Sequence, residues 1–464
     1  MGRYQYSLIA ILILLIPVPE TYAVNWLMLQ GTEPANVSHL PFLFIQPSYT
    51  KDLSSEISLG PNADKRAVNT TIAPNFDNDQ ELQLRRARAG VRGNFTGALK
   101  NDFTSKMNYF FLGEFAPNLL TYEFLGERER LMGLDHFSLT FNHIEGARVR
   151  IGLFKTPGLE ETFQGIATQD YIEFTDFAAR EIIERFADGN RRASPVGGTN
   201  GVIGTPTKIG SDVNAVRDWG VMVFDSFKID SWDYSYSLML GRGAGINQSD
   251  RPQDSLEQYY YLSAEQDLTG GKGARKHGVK YYLWYQDGER EFNTDPSATE
   301  YDRKRYGIGV RAQGKLFGLD ARQRLDVALS YADGMIFVAP AGSVKGDAST
   351  LVAGDLMFAA EEGNKSRALS IDYSYFITPK FETMLRYDQH ELLYETNDSI
   401  WAEGDARDIQ TLTFGAQYHL TPKMRFTFNY IDRNVDAPNT KHPAIENVIN
   451  SVRDRYSIQF TYIY

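Results

Sequence analysis

The sequence predicts an all-β protein: a 16-stranded antiparallel transmembrane β-barrel with short periplasmic turns and long extracellular loops. Three observations predict it. First, Tyr456, Ile458, Phe460, Tyr462 and Tyr464 share one face of the final segment, and Ser457, Gln459 and Thr461 share the other, with Ile463 the only break. A strand alternates in this way, and an aromatic-rich face at the chain end suits a strand whose outer side meets lipid. Second, apolar residues recur as alternating positions in segment after segment, in a chain of mean hydropathy -0.37 that is 13% aromatic. A barrel with a wet lumen and a greasy exterior needs that distribution. Third, the connections sort into two lengths in strict alternation, seven short and eight long.

The strands follow in order. The first segments are Phe42–Thr50, Leu82–Phe95, Thr104–Phe115, Leu134–His143 and Ala147–Lys155. After a long gap come Asp218–Phe227, Trp232–Arg242, Glu257–Leu268, Lys276–Asp287, Arg305–Lys315 and Gln323–Met335. The last are Ser366–Ile377, Lys380–Leu393, Asp408–His419, Lys423–Arg433 and Arg453–Tyr464. The first is weakened by Pro41 and Pro47, yet the loop tally requires it. Short connections such as Ile144–Gly146, Thr378–Pro379 and Leu420–Pro422 carry turn chemistry. A barrel of about eight strands fills its interior with side chains, whereas 16–18 strands leave an aqueous channel.

At the N-terminus, Arg3 is the only charge before the apolar run Leu8–Val18, and Thr21-Tyr22-Ala23 offers small residues for cleavage. Residues 1–23 therefore read as a secretory signal, with 24–464 as the barrel. The run is about half the ~20 residues that a membrane-spanning helix needs.

Several classes are disfavoured. Without cysteine there are no disulfides, thiolate metal sites or C-x-x-C-H haem attachment. A net charge of -11 argues against nucleic acid as a partner. The seven histidines are scattered, no G-x-S-x-G, H-E-x-x-H or P-loop occurs, and no nucleophile–base–acid set stands out. No cofactor, metal site or enzyme activity is expected. Gly241–Gly245 follows a strand but opens no helix, so it ends a hairpin strand.

Parity assigns faces. Arg86, Arg88, Arg92 and Asn94 oppose Ala87, Ala89, Val91 and Phe95. An arginine in mid-bilayer lipid costs ~2–4 kcal/mol, so the arginine face turns to the lumen. Arg85, on the apolar parity, is expected to snorkel to headgroups. Arg148 and Arg150 oppose Val149, Ile151 and Leu153, so two strands place five arginines inside, three strands apart at ~4.8 Å per step. Further along, Glu382, Arg386, Asp388 and His390 share a lumen parity, as do Arg425 and Asn429. Trp219, Trp232, Trp284, Tyr285 and Tyr418 suit interfacial girdles.

The third of the long connections, 156–217, is the longest. It carries Tyr171, Glu173, Asp176, Arg180, Glu181, Glu184, Arg185, Arg191 and Arg192, candidates for a constriction if it folds inward. An external lid or a subunit-contact loop is equally open. Ser194–Gly210 reads as its flexible part.

The stretch Arg85-Arg86-Ala87-Arg88-Ala89-Gly90-Val91-Arg92-Gly93 resembles the first block of the phosphate-selective porin O/P family. Arg148–Pro157 is similar to that family's R-x-G-x-x-K-x-P-like stretch, and Leu159-Glu160-Glu161 with Tyr171–Phe174 resembles the start of its inward loop. The resemblance implies a trimeric porin of the bacterial outer membrane that passes small anions, in some members phosphate, along an arginine ladder. Arg86, Arg88, Arg92, Arg148 and Arg150 are the matching candidates. Such members carry lysines at the constriction; Tyr171–Asp176 has Glu173 and Asp176 and none, which favours a general porin. The expected function is therefore passive diffusion of small hydrophilic solutes, with anions favoured, through a homotrimer seated in outer-membrane lipid. The rival readings are a barrel scaffold enclosing or anchoring a partner, such as an electron-transfer protein, and a barrel-embedded enzyme.

Overall fold

The computed structural model describes residues 25–28, 37–55, 80–116, 131–183, 193–195, 203–206, 216–243, 256–268, 277–290, 301–319, 322–334, 336–338, 357–359, 363–395, 406–438 and 449–464. The expected signal segment 1–23 lies outside them. Sixteen strands form a closed barrel, each antiparallel to its neighbours. They are β1 (Leu40–Asp52), β2 (Gln80–Asn94), β3 (Met107–Glu114), β4 (Gly133–Phe141), β5 (Arg148–Lys155), β6 (Arg217–Ile229), β7 (Trp232–Gly241) and β8 (Glu257–Asp267). They continue as β9 (Gly278–Arg290), β10 (Tyr301–Gly314), β11 (Gln323–Gly334), β12 (Lys365–Thr378), β13 (Phe381–Glu395), β14 (Arg407–Thr421), β15 (Met424–Asp436) and β16 (Arg455–Ile463). β1 pairs with β16 to close the cylinder, so the strand interrupted by proline is real.

Local chemistry explains the hairpins. The Thr378 hydroxyl accepts from the Phe381 N–H (3.0 Å), and the Thr421 hydroxyl accepts from the Lys423 N–H (3.2 Å). These side chains serve the backbone groups that a tight turn leaves unpaired. Gly152 sits at φ +129, where a Cβ would come 2.1 Å from the Phe137 carbonyl oxygen. Only glycine fits there.

The outward face is apolar, with Leu240, Leu283, Ile308, Phe414, Phe428 and Ile458 exposed. Tyr260, Tyr285, Tyr306 and Tyr331 form a row across β8–β11 with neighbouring ring centroids 6.2, 6.2 and 5.4 Å apart. Aromatic rows of this kind sit at the headgroup level of barrels.

Two expectations need correction. The β1–β2 register jumps from Gln46↔Arg86 to Pro47↔Leu84, leaving Arg85 as an extra residue. A bulge re-aims the side chain it carries. Arg85 is consequently buried, near enough to act on the Glu173 carboxylate, and does not reach out to headgroups. Trp284 is no girdle residue: it shares the inward parity of Tyr282 and Gln286 and is 2% exposed. Gly307 on the next strand makes room for it, since a Cβ there would lie 2.9 Å from the indole nitrogen. Within 194–210 the described residues lie in strands. Ala193–Pro195 and Ile203–Pro206 join Ile336–Val338 and Met357–Ala359 in a small four-stranded sheet.

The interior is also less polar than parity predicts. Phe154, Met222, Phe224, Met239, Tyr259, Tyr261, Tyr282 and Trp284 line the inner wall from β5 to β9 and join one buried cluster with Leu159 and Phe163. Alternation still sets the faces there, but the inward side chains pack against the chain's own third loop instead of water.

Candidate functional site

The site grows out of the end of β5. Lys155 donates from Nζ to the carbonyl oxygens of Thr162 (2.7 Å) and Gln164 (2.5 Å), bending the chain around the short helix α1 (Glu160–Phe163). Glu160 accepts from Lys280 Nζ (2.6 Å) and from the Tyr261 hydroxyl (2.8 Å). Burial alone would raise its carboxyl, but the Lys280 and Arg311 cations outweigh burial and hold it below the ordinary range.

The chain then descends the bore. The Gln169 carbonyl accepts from Arg425 (2.7 Å), the Asp170 carbonyl accepts from Gln417 (2.7 Å), and the Asp170 carboxylate pairs with Arg324. These wall residues lie close to the short-turn ends of β11, β14 and β15. On the return, the Ile172 N–H donates to Asn429 Oδ1 (2.7 Å), Glu173 pairs with Arg455 (2.8 Å), and the Asp176 N–H donates to Asp388 (2.7 Å). Glu181 closes the course on Arg305 (2.9 Å), near the long-loop end of β10. The partners span β8 to β16, so residues 156–183 run inside the barrel. Of the inward fold, lid and subunit contact that the sequence left open for 156–217, the described stretch 156–183 takes the inward course.

Charge holds the loop at both turns. Burial pushes the Glu173 and Asp176 carboxyls up, yet both end below the ordinary range. Arg455 and Arg433 face Glu173; Arg180 and His390 face Asp176. Glu161 goes the other way: burial outweighs its Arg386 partner (3.0 Å) and raises it. Burial likewise raises the Tyr171 hydroxyl, whose ring lies 4.0 Å from the Arg386 guanidinium carbon.

Arg386 is the hub. It also donates to Asp372 (2.6 Å) and to the Glu173 carbonyl (3.2 Å). Arg180 bonds to Asp176 (2.8 Å). Arg185, Glu184, Arg191 and Arg192 lie outside the described residues. On the opposite wall, Arg86 donates to Gln46 (2.9 Å), and Arg88 bridges Glu114 (2.7 Å) and Asp135 (3.0 Å). Arg92 lies 6.0 Å from the Phe42 ring centroid. Arg148 pairs with Asp225, and Arg150 donates to Thr140 (3.2 Å) and lies 4.4 Å from the Phe224 ring centroid. The β2 and β5 arginines thus occupy one wall, but each is engaged by a carboxylate, an amide, a hydroxyl or a ring. Lys280, Arg303, Arg305, Arg311, Arg324, Arg433 and Arg455 were missed by the sequence reading, although strand parity could have found all but Arg303, which precedes the predicted segment Arg305–Lys315.

Between loop and wall, a polar cleft is lined by Glu161, Asp170, Arg311, Arg324, Asp326 and Asp372. Arg324 and Asp372 keep 18% and 15% of their side chains exposed, unlike the buried loop anchors. A further cluster is one that sequence reading did not pick out. Ser366 Oγ lies 2.5 Å from His390 Nε2, and Asp176 lies 2.8 Å from His390 Nδ1. The order is nucleophile, base, acid. Ser366 is only 1% exposed and lines neither polar cleft beside the loop, and Asp176 is also committed to Arg180. The chain of bonds works as a strut pinning the loop to β12 and β13. Among the described residues, no group of His, Asp and Glu could hold a metal ion.

No protein-family model matches the chain, and no curated protein matches it by sequence. The likeness is to solved structures. A complex of Salmonella typhi OmpF with daunomycin superposes with a TM-score of 0.54 at 11% identity, covering 94% of this chain and 100% of that one. The outer membrane channel DcaP of Acinetobacter baumannii gives 0.52 at 12% identity, covering 94% and 100%. The chain has the outer-membrane porin fold. At these identities the likeness speaks for the fold alone. The narrower resemblance to phosphate-selective porins has no family match behind it.

Proposed function

We propose that this protein is a diffusion porin of the bacterial outer membrane whose bore is narrowed by its third loop. The supporting observation is the inward course of residues 156–183, pinned to the wall by buried charge pairs and leaving a partly exposed polar cleft beside it. Solutes pass down their gradient, sorted by size and by the field in that cleft. Arg311, Arg324 and Arg386 face Glu161, Asp170, Asp326 and Asp372 there. A row of arginines favours anions, and carboxylates among them weaken the preference. The reading is therefore a weakly selective path for small hydrophilic solutes, anions among them, phosphate included without preference. Arg386 and Tyr171 are the sequence candidates that line this path, and Arg425 holds the Gln169 carbonyl beside it. A homotrimer in outer-membrane lipid completes the proposal.

Planar-bilayer conductance in a salt gradient tests it. The expected result is a conducting barrel with a reversal potential near zero or modestly on the anion side. A strongly cation-side potential would overturn the anion preference, and a correctly folded barrel that never conducts would overturn the pore. The filled interior also favours a second reading, a scaffold that anchors a partner at its rim. A silent barrel that retains a protein on purification would carry it.

A further inference from the structure

Asn25–Met28 forms a turn inside the barrel, closed by the Met28 N–H donating to the Asn25 carbonyl (3.0 Å). Leu27 is fully buried, a member of the same apolar cluster as Phe154, Leu159 and Phe163, with Trp26 and Met28 packed against that cluster. Polar contacts fix the ends of the turn. Asn25 Nδ2 donates to Ser235 Oγ (2.5 Å), and an Arg148 guanidinium N–H points at Met28 Sδ (3.8 Å). The Trp26 ring lies against Gly165 so closely that a Cβ on that glycine would be 3.1 Å away.

The location matters more than the contacts. Arg148 opens β5 just past a short turn, and Ser235 lies just past the short turn between β6 and β7. Both mark the periplasmic end of the bore. Gly165 belongs to the descending limb of the third loop, shortly before its lowest contacts at Gln169 and Asp170. The segment is thus wedged between the periplasmic ends of β5 and β7 and the underside of the loop. An exposed Leu or Trp gains by leaving water for the apolar inner wall of β5–β9.

We propose that residues 25–28 are an N-terminal wedge that closes the β5–β7 side of the periplasmic mouth and props the third loop in its inward position. Solute is thereby confined to the polar cleft on the β10–β12 side. The proposal rests on the diffusion-porin reading, and two variants separate their fates. The chain has no cysteine, so Asn25→Cys with Ser235→Cys creates the only thiol pair. In the folded barrel, oxidation should join them, seen as a loss of titratable thiols, and the joined protein should conduct no more than the parent. Failure to cross-link overturns the docking.

The second variant is deletion of residues 25–28. It should raise single-channel conductance by about twofold or more, as expected when a constriction roughly doubles in section. Retained heat-modifiable migration on gels would show that the barrel still forms. A folded deletion variant with parental conductance overturns the wedge and leaves the porin reading intact. Silence from both the parent and the deletion variant overturns the porin reading, and the wedge's role in flow falls with it.

Discussion

Arg386→Ala is the sharpest perturbation of the loop. The guanidinium holds Glu161 at 3.0 Å and Asp372 at 2.6 Å, donates to the Glu173 carbonyl and lies over Tyr171. Breaking a buried pair by removing one partner costs about 3–5 kcal/mol, because the other charge is stranded. Glu161 has an escape that caps its share. It can take up a proton, at about 1.4 kcal/mol per pH unit above an ordinary value near 4.3, hence about 4 kcal/mol at pH 7 and about 1 kcal/mol at pH 5. The sign follows from its shift. Burial already raises the docked carboxyl despite Arg386. Its contribution to docking is therefore fullest below the ordinary value and is lost as pH rises through the raised one. Without Arg386 that loss deepens. Through Glu161, loop opening should increase by up to about 10³-fold at pH 7 and by no more than about fivefold at pH 5, after correction for intrinsic exchange. Amide hydrogen exchange of the segment 169–176 in detergent, read by mass spectrometry at both pH values, measures it. Unchanged protection at pH 7, or an equal loss at both, would refute the reasoning.

Acid should loosen the same loop in the parent protein. The Glu160, Glu173 and Asp176 carboxyls sit below their ordinary values, so the anchoring they give is present above about pH 4.5 and is lost as pH falls through the lowered values. After correction for the slower intrinsic exchange in acid, protection of 160–176 should fall at pH 3 while the barrel strands keep theirs, and uniform protection would count against these anchors. Ser366→Ala should weaken the strut through His390 by about 1 kcal/mol, seen as faster exchange near Asp176, with no change in hydrolysis of small esters. Ester hydrolysis abolished by the substitution would revive an enzyme reading.

The strands were legible because each must answer to two solvents. Leu82–Phe95 and Ala147–Lys155 could be assigned faces from arginine parity alone, since lipid rejects a guanidinium in mid-membrane. Turn chemistry at Thr378 and Thr421 and the two loop lengths supplied the strand count. Arg85 defeated parity because one bulged residue shifts the register locally. Trp284 was misplaced by residue type and not by parity, since it alternates with Tyr282 and Gln286, and an inward aromatic is acceptable where the chain itself covers it.

By itself, then, the sequence determined the barrel: alternation at period two is a local property, enforced at every position by the contrast between lipid and the interior. Only the tertiary structure decided what fills that interior. Whether Glu160 meets Lys280, Asp170 meets Arg324 or Glu173 meets Arg455 depends on bringing together residues far apart in the chain. Such pairs are set by the geometry of a closed cylinder and by the cost of leaving a buried charge alone. No local pattern encodes them.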